Sequence, residues 1–212
     1  MPKTIGGTRI SKRNIDVIPG GIAVSNLGSI RDIENTQSRL AVQSAISRFQ
    51  AEYGIATRDI RIGDLDGAYG VAFIGGPNEG RVVLNRKLFN NYDALIKSKR
   101  AEYRSGFKVS TNAPVKHTVI HEMAHIKWND MKKGAKYAKA SAEIRKLYKE
   151  FRLKVVTNMR RNRTARKQSP LGMYATTNIN EFYAEALTGS IIGTRQNRFT
   201  RAIKRITKKY NL

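Results

Sequence analysis

Five consecutive residues, His121-Glu122-Met123-Ala124-His125, place two imidazoles and a carboxylate where they can act together. On an α-helix, residues four apart stand one turn apart on one face, with about 6 Å between their Cβ atoms. Two imidazoles at that spacing reach one tetrahedral metal ion, and zinc is the usual occupant of a His and carboxylate site. Glu122, next to the first histidine, can lean toward the open metal position and take a proton from water there. The bland alternative is an amphipathic helix whose His and Glu are simply solvated. Against it, Val119, Ile120, Met123, Ala124 and Ile126 make the segment apolar on several sides, as in a helix buried in a core. Ionisable groups buried without partners are costly, so burial favours a metal.

Two histidines leave a catalytic zinc site one protein ligand short, and the chain has no Cys to supply it. His117 lies one turn before His121 but is rotated about 80° from His125 on an ideal helix, which makes it a neighbour of the site at best. The stretch Asn180-Glu181-Phe182-Tyr183-Ala184-Glu185-Ala186 offers two carboxylates one turn apart on one helix face. One of them can bind metal while the other accepts the N–H of a ligating His and fixes its tautomer.

These side chains need elements to carry them. Asn112-Ala113-Pro114 reads as the start of the motif helix, a capping side chain followed by Pro in the first turn, and the helix runs to about Trp128. Upstream, Leu40, Ile46, Phe49 and Tyr53, with Val42 and Ala45 beside them, predict a helix over Thr36–Tyr53, capped by Asn35 or Thr36 and stopped by Gly54. Three strands are expected at Ile55–Ile62, Ala68–Ile74 and Arg81–Asn85, the last two forming an antiparallel hairpin across the Gly75–Gly80 turn. Helical pattern returns over Tyr92–Tyr103 and is interrupted at Gly106; a long basic helical region lies between Gly134 and Pro170, and a further helix over Asn180–Gly189. Residues 1–35 read as an extended basic arm, and residues 194–212 as a basic amphipathic helix whose stripe is Phe199, Ile203, Ile206 and Tyr210.

Forty Lys and Arg against sixteen Asp and Glu give a formal net charge of +24 in 212 residues. Self-repulsion on that scale calls for an anionic neutraliser, for which nucleic acid, an anionic membrane surface and an acidic protein are the candidates. The run Arg160–Lys167 is read first as a solvated face. The N-terminus lacks the apolar run of a secretory signal, and no stretch approaches the roughly 20 apolar residues of a bilayer span. An intracellular or virion-associated setting is therefore expected.

The chain resembles the gluzincin metallopeptidases, and within them the clan of anthrax lethal factor and the secreted Pro-Pro endopeptidases. Three pieces carry the resemblance: His121-Glu122-x-x-His125; Glu181-Phe182-Tyr183-Ala184-Glu185, similar to that clan's E-F-x-A-E; and Tyr174, seven residues before Glu181. It implies His121, His125 and Glu181 as ligands of one Zn2+, Glu122 as general base, Tyr174 as the hydroxyl that stabilises the oxyanion, and Glu185 as the acid that supports a ligating His. The implied substrate is a protein or peptide. The expected fold is α+β, a zincin-like metallopeptidase domain over 36–193 with a small mixed or antiparallel sheet packed on the His-bearing helix and a second, Glu-bearing helix. The main departures from the clan are the long basic insert between the two motifs, the positive charge and the absent signal peptide. They leave room for the rival expectation, a basic nucleic-acid-associated or virion-packaged protein carrying a secondary zincin domain.

Overall fold

Apolar runs with Asn caps and Gly stops set most of the boundaries in the computed structural model, which describes residues 16–17, 23–54, 59–109, 111–161, 169–193 and 196–210. The elements in order are β1 (Asp16–Val17), β2 (Ala23–Ser29), α1 (Thr36–Tyr53), β3 (Asp59–Leu65), β4 (Gly70–Ala72) and β5 (Arg81–Asn85). Then come α2 (Arg86–Asn90), α3 (Tyr92–Ser105), α4 (Pro114–Lys132), α5 (Tyr137–Arg161), α6 (Ile179–Ile192) and α7 (Arg198–Lys209). The class is α+β. The sheet is mixed, in the order β1-β2-β3-β5-β4, with β3 and β5 parallel and the other pairs antiparallel.

The segment expected to be an arm supplies β2, whose Val24 is fully buried, so part of it is integral to the sheet. The first expected strand is described from Asp59 and runs on to Leu65; residues 55–58 lie outside the described set. The β4–β5 hairpin forms in the expected antiparallel register, Val71 opposite Val83. α1 starts at the expected Asn35 cap and stops at Gly54 (φ 75°), but its buried face is Ser38, Val42, Ala45 and Phe49. Leu40 is 59% exposed, because it lies two positions from Val42 and helical geometry turns it away from that face. For α4, the cap position falls on Ala113 and Asn112 makes no cap; Pro114 takes the first turn as expected, and the helix continues four residues past Trp128 to Lys132. Of the basic run Arg160–Lys167, the stretch from 162 lies outside the described residues.

α4 is the spine. It packs against α1, α3 and α6 and against the β4–β5 end of the sheet, and it buries residues on every side, among them Val119, Ile120, Met123 and Trp128. α6 is buried on most sides, with Phe182, Tyr183, Ala184, Ala186 and Leu187 fully buried, so it too is an interior helix. Phe182 meets Phe151 of α5 and Phe199 of α7 at ring-centroid distances of 5.3 and 6.1 Å, while Tyr183 meets Trp128 of α4 at 4.8 Å. None of the helices described is long and apolar enough to cross a membrane.

The C-terminal helix docks on the body. Phe199, Ile203 and Ile206 face inward, and the cations on its outer turns meet acids of other helices: Lys204 and Lys208 lie 2.7 and 2.8 Å from Glu52 of α1, and Lys209 lies 2.7 Å from Glu143 of α5. Hydrogen bonds from Lys204 and Lys208 hold the Glu52 carboxyl below its ordinary value. A carboxyl whose pKa is lower folded than unfolded contributes stability above its unfolded value of about 4.3, and loses it as pH falls through the folded value. Glu52→Gln is thus expected to lower stability at pH 7 by up to about 1 kcal/mol, the range of a partly exposed ion pair, with the difference from wild type shrinking as pH falls below the unfolded value of about 4.3. Urea unfolding at pH 7 and pH 3.5 measures both.

Candidate metal centre

The site forms where α4 and α6 cross beside the edge of the sheet. The four-residue spacing puts His121 and His125 on one face of α4, ring centroids 4.7 Å apart and nearly perpendicular. Glu181 enters from the first turn of α6. The side chain of Asn178 caps that helix by accepting from the N–H groups of Asn180 and Glu181 (2.9 and 3.0 Å), which leaves the Glu181 carboxylate free to point at α4.

Three ligand atoms converge. His121 Nε2 and His125 Nε2 are 3.1 Å apart, and Glu181 Oε2 is 3.1 Å from the first and 3.4 Å from the second. That oxygen is buried, yet no directed hydrogen bond reaches it among the described residues. The spacing suits a shared cation better than mutual hydrogen bonding: the edge of a tetrahedron with metal–ligand lengths of about 2.0–2.1 Å is about 3.3 Å. His121, His125 and Glu181 form a group that could hold a metal ion.

Glu185, one turn further along α6, lies behind His121 and is almost fully buried. Its Oε1 faces His121 Nδ1 at 3.2 Å, and its Oε2 faces His117 Nε2 at 3.2 Å. His117, a neighbour of the site by spacing, thus touches the supporting acid. Burial alone would raise the Glu185 pKa, but His117 and Lys108 outweigh it and hold the carboxyl well below its ordinary value. Burial pushes His117 down, toward the neutral imidazole. His121 is also penalised by burial, but Glu181 and Glu185 pull it up to about 9, so the metal-free site keeps a proton there at neutral pH.

Lys108 had no signal in the sequence, being one lysine among forty Lys and Arg. Its side chain is 10% exposed, with Nζ 3.5 Å from Glu185 Oε1 and 4.4 Å from the centre of the Tyr174 ring. Burial opposes its charge, but Glu185, Glu102, Glu122 and Glu181 more than offset that and raise its pKa. The backbone explains its placement. Gly106 ends α3 in the left-handed conformation, and the N–H groups of Met173 and Tyr174 donate to the carbonyls of Gly106 and Phe107 at 3.1 and 2.8 Å. This pairing needs Gly172 (φ 78°), since a Cβ there would lie 2.7 Å from the Phe107 carbonyl and 2.8 Å from Lys108 Cα.

The same pairing fixes Tyr174, in a short 3-10 turn, with its ring centroid 5.8 Å from that of His121. Burial and the Glu181 and Glu122 carboxylates raise its pKa far above the ordinary phenol value, so it stays a protonated donor. Glu122 is half-buried on α4 against the edge strand: a Cβ at Gly70 would come within 3.0 Å of its Cγ. Every candidate from the sequence therefore lies around one point. Comparison with protein-family models, with curated proteins and with solved structures finds no match for the chain.

Removing Lys108 leaves a buried carboxylate short of one countercharge. Lys108→Met is expected to destabilise the fold by about 3 kcal/mol, and Lys108→Met with Glu185→Gln by less, because the second change removes the uncompensated charge. Denaturant unfolding of the two variants and wild type measures this; equal losses would show that Lys108 and Glu185 are not coupled.

Proposed function

We propose that the protein is a zinc-dependent endopeptidase of the gluzincin type, akin to the lethal factor and Pro-Pro endopeptidase clan. The observation that carries this reading is the convergence of His121, His125 and Glu181 with a carboxylate and a phenol flanking the same point. The donor set, two imidazole nitrogens and one carboxylate oxygen, suits zinc and leaves a position open. Bound there, zinc supplies a Lewis acid that polarises a scissile carbonyl and brings the pKa of water toward about 7.

The chain's own residues do the rest. Glu122 takes the proton of the attacking water and returns it to the leaving amine. Tyr174, kept protonated by its surroundings, donates to the oxyanion that develops on the carbonyl oxygen. Glu185 holds His121 by its Nδ1 side and fixes which nitrogen faces the ligand point. β4 ends the sheet order and packs beside α4, so an extended peptide can add along it and bring a backbone carbonyl to Glu122. Gly70 on that strand gives Glu122 its room.

Elemental analysis of the purified protein is expected to find about one zinc per chain in wild type and in Glu122→Gln, and little in His125→Ala. Hydrolysis of casein or a mixed peptide library is expected to fall by about 10²–10⁴-fold in Glu122→Gln. Tyr174→Phe is expected to lose about 10²–10³-fold in kcat with zinc content unchanged. A wild type without stoichiometric zinc, or a Glu122→Gln variant that hydrolyses as wild type does, overturns the reading.

A further inference from the structure

A second concave site lies on another face of α4. One face of α3 carries Tyr92, Ile96, Arg100 and Tyr103 at helical spacing, and with Thr111, Asn112 and Pro114 it lines a cleft of about 680 Å³. A hollow of about 410 Å³, bounded also by α1 and α4, adjoins it and shares Tyr92, Asn112 and Pro114. Five cations line the two: Lys97, Arg100 and Arg104 from α3, Arg48 from α1 and Lys116 from α4. None of the five forms an ion pair or side-chain hydrogen bond with a described residue, and Asp93 is the one acid lining either hollow. Some cations elsewhere meet acids, as at Glu52, Glu143 and Asp59, while others, such as Arg145 and Lys149 of α5, meet none among the described residues. Five like charges gathered in one cleft repel each other until an anion neutralises them.

We propose that this cleft binds single-stranded nucleic acid. Phosphates answer the cations. Tyr92, which lines both hollows, offers an aromatic face on which an unpaired base can stack, and Asn112 and Thr111 offer hydrogen-bonding groups beside it. An acidic peptide would meet the charges but has no base for the tyrosine. A lipid surface needs protruding apolar anchors, and this site is concave and polar at its rim. A duplex presents its phosphates but keeps its bases paired, out of reach of the ring. The site is separate from the metal centre, so it stands or falls independently of peptide hydrolysis.

The test is fluorescence anisotropy of a labelled 20-mer oligothymidylate with the full chain, titrated between 50 and 300 mM KCl. Wild type is expected to bind with a steep salt dependence. Arg100→Gln with Arg104→Gln should weaken binding at least tenfold and reduce the log–log salt slope by about 1.4, at roughly 0.7 per phosphate contact. Tyr92→Leu should weaken it at least fivefold with the slope unchanged. Arg145→Gln with Arg152→Gln removes the same charge from α5 and should cost less than twofold; circular dichroism melts confirm that each variant folds. The proposal is overturned if the α5 pair costs as much as the α3 pair, or if Tyr92→Leu binds as wild type. It is equally overturned if polyglutamate displaces the oligonucleotide as well as unlabelled oligothymidylate does, or if a 20-base-pair duplex binds more tightly with the same variant losses.

Discussion

Two carboxylates one turn apart on an interior helix are the constraint that the rest of the molecule answers. Glu181 and Glu185 project from α6 into the interface with α4, where Glu185 is almost fully buried. A buried carboxylate without countercharge costs several kcal/mol, more than most single interactions return. α4 answers with three imidazoles on successive turns, and the loop after α3 answers with Lys108. In the metal-free site, the proton that His121 holds up to a pKa of about 9 is part of that answer. A divalent cation held between His121, His125 and Glu181 would take over the proton's role and supply more charge, and its affinity would then be coupled to the packing of the two helices.

The charge pattern follows the same logic at larger scale. A chain with a formal charge of +24 would ordinarily repel a metal cation. The site reverses the local sign by placing Glu122, Glu181 and Glu185 around one point and admitting a single lysine. Three carboxylates and one ammonium leave a local charge that one divalent ion would balance. Three other acids face cations of α7: Glu52, Glu143 and Glu150. The α3 cleft gathers five of the many cations that no acid among the described residues answers.

Much of this was legible in the sequence because it rests on local chemistry. Periodicity, Asn caps and Gly stops place α1, α3, α4 and α6 with little help from tertiary structure, and the four-residue spacings on α4 and α6 put each pair of functional groups on one face. The misses have tertiary causes. Leu40 looked like part of a stripe, but the face of α1 that turns inward is set by what α4 presents to it. The parallel β3–β5 pairing joins strands separated by β4, and adjacent-strand reasoning does not reach it. Asn112 was an apt cap residue one position too early. Lys108 was invisible because its role depends on a loop that passes within contact of Gly172, more than sixty residues away.

α4 gives the two concave sites a fixed relation. Lys116 precedes His121 by five residues and His125 by nine, rotations of about 140° and 180° on an ideal helix, so this cation of the cleft points away from the two histidines. Along the axis they are separated by about 7–14 Å at 1.5 Å per residue. Because α4 is buried nearly all round, neither face can turn without unpacking the core, and the separation is rigid. A strand held in the cleft therefore leaves the β4 edge and the His121–His125 face open, and a polypeptide on that edge leaves the cleft open. The basic charge and the acidic centre are thus compatible within one small domain: α4 carries the imidazoles of the acidic centre on one face and Lys116 of the cleft on the other.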